Sequence, residues 1–128
     1  MEIKFRKYQG TGNDFVIIDN RDGSYGRLNT EQVAFLCNRK LGIGADGMMM
    51  LEEAEGFDFR MVYYNADGKE GSMCGNGGRC LVQFAYDLGI SKVKYLFIHL
   101  FVCSQIHIFI YFYVGLPESL TRIRGIYI

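Results

Sequence analysis

The chain lacks several features that would assign it to a common functional class. Its 14 basic and 14 acidic residues cancel, whereas nucleic-acid-binding domains normally carry a basic excess. The four cysteines form no CxxC pair and no cysteine–histidine ligand set, so no zinc site is expected. The opening residues MEIKFRKYQG lack the apolar core of a signal peptide. These absences favour a cytoplasmic, reducing environment with unpaired thiols.

Proline is almost absent, with one residue, whereas glycine is abundant, with 16. Because glycine permits tight turns and close backbone approaches, we expect many of both. With 128 residues and 49% hydrophobic content, the chain has the size of one ordinary domain and enough apolar residues for a core.

The hydrophobic pattern predicts strands and helices in the first part of the chain. Strands are predicted over residues 3–8, 15–19, 48–51 and 57–64, helices over 29–38 and 79–88, and turns over 10–14 and 65–68. Asn29 and Gln32 have the spacing of a helix capping box. The second helix is apolar nearly all round, as buried helices are. We therefore expect an α/β (α+β) fold in which a mixed, curved β-sheet wraps around a central buried helix.

One cysteine lies in a glycine-rich loop before the second helix, where Cys74 is followed by Gly75, Asn76, Gly77 and Gly78. The positive end of a helix dipole can lower a thiol pKa from about 8.5 to between about 3.5 and 7.5. The unpaired N–H groups of such a loop can hold a carboxylate and stabilise the charge that forms when an α-proton is removed. The loop therefore suits proton abstraction from an amino acid, and an inert cysteine is the alternative.

The other three cysteines are predicted to be structural. Cys37 and Cys80 lie within the predicted helices, and cysteine without a disulfide is among the most buried residue types. Cys103 lies in an apolar tract without neighbouring glycines and is either structural or incidental.

Four motifs, in order and spacing, resemble the amino-terminal half of the diaminopimelate epimerase family. They are KYQGTGNDFVIID, CNRKLGIGADGMM, YYNADGKEGSMCGNGGRC and the following LVQFAYDLG. The glycine loop alone would also resemble proline and hydroxyproline racemases, but those usually have histidine at the position of Asn76. The resemblance covers residues 3–92.

The resemblance implies an isomerase that converts LL-diaminopimelate to meso-diaminopimelate for lysine and peptidoglycan synthesis, with no metal, pyridoxal phosphate or other cofactor. It implies that Cys74 is one of two catalytic cysteines that transfer protons. It further implies that Asn13, Asn65, Gly75 and Asn76 bind substrate, the last two through their backbone. The expected partner is a small-molecule substrate, with no nucleic acid or membrane, and full-length relatives could form homodimers.

The resemblance is incomplete at one position, and two of its residues have a structural alternative. Many family members contact substrate through a glutamine where this chain has Gly47, so that contact is not carried over. Asparagine is favoured in turns, which is the alternative role for Asn13 and Asn65. Four further residues are expected to fix loops through hydrogen bonds: Asp14, Asp46, Asp67 and Arg79.

Residues 95–114 form an apolar tract without Asp, Glu, Lys, Arg, Gly or Pro. Three interpretations compete, in order of preference: foreign sequence after a frameshift or gene-boundary error, one or two buried strands, and a membrane span. We therefore divide the chain into an epimerase amino-terminal domain at 1–92 and an unmatched apolar tail at 93–128. Relatives have a second, similar domain that supplies the other cysteine, so the resemblance implies a truncated chain that is inactive alone.

Overall fold

The computed structural model describes residues 2–71 and 75–90 in full, and three further strands at 95–103, 106–113 and 122–123 in their backbone alone. The elements follow the order β1 (Arg6–Gly10), β2 (Asn13–Asp19), α1 (Thr30–Cys37), β3 (Gly47–Glu52), β4 (Arg60–Asn65), β5 (Glu70–Gly71), α2 (Gly75–Asp87), β6 (Tyr95–Cys103), β7 (Ile106–Tyr113) and β8 (Arg122–Ile123).

One mixed sheet organises the described part of the chain. Its strand order is β5-β4-β3-β2-β1-β8. Strands β2 and β3 are parallel, because α1 carries the chain across between them, and the other neighbouring strands are antiparallel. Helix α2 is the predicted buried helix. The mixed sheet and the buried helix confirm the predicted fold class.

The two faces of the sheet bury separate apolar clusters. Strand residues alternate between faces, so neighbouring residues such as Val16 and Ile17 belong to different clusters. The cluster on the α2 face includes Phe15, Ile17, Met49, Leu51 and Tyr63 from the strands and Leu81 and Phe84 from the helix. The cluster on the α1 face includes Val16, Ile18, Met48, Met50 and Tyr64 with Val33 and Cys37. The central strands are therefore buried on both sides.

Helix α1 begins as the sequence predicts. The side chain of Asn29 accepts a hydrogen bond from the Gln32 N–H at 2.9 Å, and the Gln32 side chain accepts one from the Asn29 N–H at 2.9 Å. This reciprocal pair is the capping box and satisfies two backbone donors that the helix itself cannot. The prediction of a capped helix at this position is confirmed.

Several predicted boundaries were wrong. Helix α2 begins at Gly75 and not at residue 79, because burial of Gly77 and Gly78 against the sheet offsets the low helix propensity of glycine. Strand β1 runs over Arg6–Gly10 and β2 starts at Asn13, so the turn between them is Thr11–Gly12 and not residues 10–14. Strand β4 starts at Arg60 and not at residue 57, since the exposed Phe57 follows a glycine with positive φ at position 56.

The apolar tract forms two antiparallel strands, β6 and β7, that pair from Tyr95↔Tyr113 to Cys103↔Ile106. This backbone is the one that the buried-strand interpretation expects, although the side chains of the two strands lie outside the described part. In the portion that the structure describes, no helix has the length and apolar character needed to cross a bilayer. The predicted division at residue 92 stays a prediction.

Candidate functional site

Three strand ends meet at one end of the sheet. In the pairing register, Phe15 of β2 lies opposite Gly47 of β3, and Gly47 lies opposite Asn65 of β4. Asn13 begins β2 and Asn65 ends β4. The two asparagines that the resemblance implicates in substrate binding therefore lie at the same end of the sheet, although they are 52 positions apart in the sequence.

The hairpin turn between β1 and β2 brings helix α2 to this same end. Thr11 and Gly12 both have positive φ, at 54° and 84°, which is the conformation of a tight hairpin turn. The Thr11 hydroxyl lies 3.4 Å from the Asn76 amide oxygen. A Cβ on Gly10 would lie 3.4 Å from the backbone oxygen of Asn76, an ordinary van der Waals distance, so the end of β1 packs directly against the first turn of α2. The first turn of α2 is thus adjacent to the end of the sheet where Asn13 and Asn65 lie.

Gly75 and Asn76 are the first two residues of α2, whereas the sequence analysis placed them in a loop before the helix. The first N–H groups of a helix have no acceptor within the helix and carry the positive end of its dipole. The Asn76 amide oxygen accepts a hydrogen bond from the Arg79 guanidinium, so Arg79 fixes this turn, as predicted. Cys74 directly precedes Gly75 in the sequence but lies outside the described residues.

A network of charged side chains holds the Asn13 amide in place through Asp46. The Asn13 amide nitrogen donates to an Asp46 carboxylate oxygen at 2.7 Å. Arg39 donates to both Asp46, at 2.9 Å, and Asp14, at 2.7 Å. Lys7 adds a 2.9 Å ion pair to Asp14, and the Asp46 N–H donates to the same carboxylate at 3.1 Å.

These contacts lower the pKa of Asp14. The Arg39 guanidinium, followed by the Lys7 ammonium, holds the pKa of Asp14 well below its ordinary value of 3.8, despite the opposing effect of burial. Asp14 is therefore a permanent anion at neutral pH that ties strands β1 and β2 to the start of β3. The predicted loop-fixing roles of Asp14 and Asp46 agree with this geometry.

Asn65 is exposed and begins the turn that the Asp–Gly dipeptide predicts. The Gly68 N–H donates to the Asn65 carbonyl at 2.9 Å, and the Asn65 N–H donates to the Lys69 carbonyl at 2.9 Å. Its side-chain oxygen accepts a hydrogen bond from the Tyr63 hydroxyl at 3.2 Å. The turn thus uses the backbone groups of Asn65, whereas the Asn65 side chain contacts Tyr63.

Gly47 sits where a larger side chain would not fit. A Cβ there would lie 2.8 Å from the Tyr64 carbonyl oxygen and 3.1 Å from Cε2 of Tyr63. The backbone of β4 and the Tyr63 ring thus occupy the space that a glutamine would need.

Cys37 and Cys80 are buried, at 3% and 0% exposure, which confirms them as core residues. Burial, with a smaller effect of the nearby Asp14 carboxylate, raises the pKa of the Cys37 thiol to about 11. Such a thiol is protonated and enclosed at neutral pH and therefore unreactive. Among the residues that the structure describes, no three His, Cys, Asp or Glu side chains are grouped as metal ligands would be.

Sequence reasoning missed the contributions of three residues. In the sequence, Tyr63 looks like an ordinary strand residue, Arg39 looks like a surface charge, and Thr11 looks like a turn residue without a further role. The glycines at positions 47 and 71 indicate a large side chain beside them, but identifying it as Tyr63 requires the strand register. Arg39 could not be paired with Asp14 from the sequence because 25 positions separate them.

The fold is shared by solved structures of two different proteins. One is a phenazine biosynthesis protein of the PhzF family from Bacillus anthracis, with a TM-score of 0.63 and 19% identity, covering 94% of this chain and 38% of that one. The other is a methylitaconate-delta-isomerase, with a TM-score of 0.63 and 14% identity, covering 98% of this chain and 64% of that one. At these identities the likeness shows the fold alone.

Sequence comparison is more specific. The diaminopimelate epimerase family model matches residues 5–100. Diaminopimelate epimerase of Flavobacterium psychrophilum is 56% identical over 96 residues, which are 75% of this chain and 38% of that protein. The Chlorobaculum tepidum enzyme is 59% identical over 81 residues, 63% of this chain and 31% of that protein. The chain belongs to the diaminopimelate epimerase family and spans about a third of the length of these relatives.

Proposed function

We propose that this chain carries the amino-terminal part of the active site of an amino-acid epimerase that interconverts LL- and meso-diaminopimelate by cysteine-mediated proton transfer. The relatives are named for this substrate. The observation that carries the proposal is the convergence of Asn13, Asn65 and the first turn of α2 at one end of the sheet. A cytoplasmic location and a small amino-acid ligand are parts of the same proposal.

The substrate carboxylate is held by the start of α2 in this proposal. The N–H groups of Gly75 and Asn76 are directed toward the amino end of the helix, where the dipole favours an anion. The amides of Asn13 and Asn65 add polar contacts from the sheet. Removing the α-proton places negative charge partly on the carboxylate, so donors already aimed at it stabilise the transition state.

Cys74 is the proton-transfer residue of this half-site. Its thiolate sulfur takes the α-proton and becomes a thiol, and the electron pair of the broken C–H bond passes into the carboxylate. A second acid on the opposite face of the α-carbon then returns a proton, so the reaction inverts the centre without oxidation or reduction. Cys37 and Cys80 are buried and cannot supply this second acid. In this proposal the acid for the opposite face comes from a second domain, as the family resemblance implies.

A reconstitution experiment tests the function. The 128-residue chain is assayed alone and mixed with the separately expressed carboxy-terminal domain of the F. psychrophilum enzyme. Interconversion of the two diaminopimelate isomers is followed by chiral chromatography. We expect turnover in the mixture only, because substrate orientation and a water-excluding site both need two domains.

The matched variants are Cys74→Ala and Cys37→Ala. Since one proton-transfer group contributes about 10²- to 10⁴-fold, Cys74→Ala should abolish measurable turnover in the mixture, whereas Cys37→Ala should retain it. Turnover that survives Cys74→Ala would contradict the assigned mechanism. Strong epimerisation by the chain alone would contradict the need for a second domain.

A further inference from the structure

Tyr63 and Asn65 lie two residues apart on β4 and so project from the same face of the sheet. Tyr63 is buried at 9% exposure within the cluster that packs against α2. Its ring meets Phe15 edge to face, with the ring centroids 6.4 Å apart. Packing therefore holds the Tyr63 ring in one position, so a hydrogen bond from its hydroxyl needs little further loss of side-chain entropy.

Two glycines on the neighbouring strands give this ring its space. A Cβ on Gly47 of β3 would lie 3.1 Å from Cε2 and 3.2 Å from the hydroxyl oxygen of Tyr63. A Cβ on Gly71 of β5 would lie 2.8 Å from Cδ1 and 2.9 Å from Cε1. The Gly71 distances are shorter than real Cβ contacts, and the Gly47 distances are tighter than most, so a side chain at either position would push the Tyr63 ring out of its place.

The hydroxyl of Tyr63 contacts the oxygen end of the Asn65 amide. It lies 3.2 Å from the Asn65 side-chain oxygen and donates to it. An asparagine amide has an accepting oxygen and a donating nitrogen, whereas a carboxylate only accepts. With the oxygen directed to Tyr63, the nitrogen is the end that can donate to a carboxylate. A Cβ on Gly71 would lie 3.2 Å from that nitrogen, so the same glycine leaves room for this orientation.

We propose that Tyr63 is a positioning residue that orients the Asn65 amide for binding a ligand carboxylate. Tyr63 does not touch the ligand and acts only through Asn65. The proposal rests on the proposed function, because Asn65 is the residue that contacts the ligand there. Hydrogen bonding to one end of an amide would thus convert a mobile turn side chain into a directed donor.

The test uses the ¹⁵N-labelled chain and two matched variants. Tyr63→Phe removes the hydroxyl and keeps the ring between its two glycines. Tyr64→Phe removes a hydroxyl from the next residue, which is also buried but faces the α1 cluster. The first measurement is the NMR order parameter of the Asn65 side-chain nitrogen without ligand. The second is the affinity for meso-diaminopimelate, followed by amide shifts during titration, with Asn65→Ala as reference.

Tyr63→Phe should lower the Asn65 order parameter and weaken binding by about 2- to 10-fold, which is the range for one lost hydrogen bond. Tyr64→Phe should change neither. An unchanged order parameter in Tyr63→Phe, or a loss equal in both variants, would overturn the proposal. If the unsubstituted chain did not bind diaminopimelate while Tyr63→Phe still freed the amide, the proposed function would fail and the orienting role of Tyr63 would stand.

Discussion

The two helices begin in opposite ways. Helix α1 starts at a capping box in which Asn29 and Gln32 engage each other's backbone N–H groups. Helix α2 starts with Gly75, and Asn76 uses its amide oxygen to accept from the Arg79 guanidinium. Burial differs as well: α1 buries only Val33 and Cys37, whereas α2 is buried along most of its length.

The difference shows where each helix obtains its stability. A short, largely exposed helix is marginal without a cap, because few apolar contacts offset its nucleation. A helix buried against a sheet tolerates glycines in its first turn, each of which costs about 0.5 to 1 kcal/mol. Burial of α2 thus allows glycines in the first turn, to which we assign the ligand, while α1 uses its first turn for a cap.

The largest expected contrast is between the cysteines associated with the two helices. Cys37 ends α1 and its pKa is raised to about 11 by burial. Cys74 precedes α2, whose dipole should lower its pKa. At pH 7, iodoacetamide should modify Cys74 at least about 100-fold faster than Cys37, as read by peptide mass spectrometry.

A pH series and an unfolded control sharpen this test. The rate at Cys74 should level off above its lowered pKa, and the two rates should converge in urea, where both thiols are exposed. Faster modification of Cys37 or Cys80 in the folded chain would show that the helix does not activate Cys74.

A smaller effect is expected at Asp14, which links the loop after α1 to the site. Asp14→Asn should destabilise the chain by about 2 kcal/mol at pH 7, because the bonds from Arg39 and Lys7 lose their charged acceptor. The folded-state pKa is depressed, so the stabilisation is present above the ordinary value of 3.8 and is lost as the pH falls through the folded-state pKa.

Urea unfolding at several pH values measures this effect. The difference between the unsubstituted chain and Asp14→Asn should therefore shrink below about pH 4. The exposed Asp58→Asn serves as the control and should leave the midpoint unchanged. A difference that stays constant from pH 7 to pH 3 would mean that the charge of Asp14 does not support the fold.

The smallest effects separate the two helix starts directly. Asn29→Ala removes the cap of α1 and should cost about 1 kcal/mol of stability without changing ligand affinity. Asn76→Ala should weaken diaminopimelate binding more than it lowers stability, because its amide orders the first turn of α2. Urea midpoints and NMR titrations of both variants provide the comparison. Equal effects of the two variants on binding would remove the functional distinction between the helices.

Local patterns allowed much of the fold to be predicted. The capping box at Asn29, the Asp–Gly turn after Asn65 and the burial of Cys37 and Cys80 each depend on neighbours within a few residues. The boundaries failed where tertiary contacts dominate, as at Gly75, where packing on the sheet extends α2 through a run of glycines. The β1–β2 turn was misjudged because pairing of Gly10 with Asn13 extends both strands.

The sequence by itself determined the family, the fold class and the identity of the candidate site residues, because these reside in short motifs whose chemistry is local. Only the tertiary structure decided that Asn13, Asn65 and Asn76 lie at one end of the sheet and that the Tyr63 hydroxyl contacts the Asn65 amide. Those relations depend on strand register and on the space left by Gly47 and Gly71. Register joins residues far apart in the chain, and no local pattern specifies which of them become neighbours.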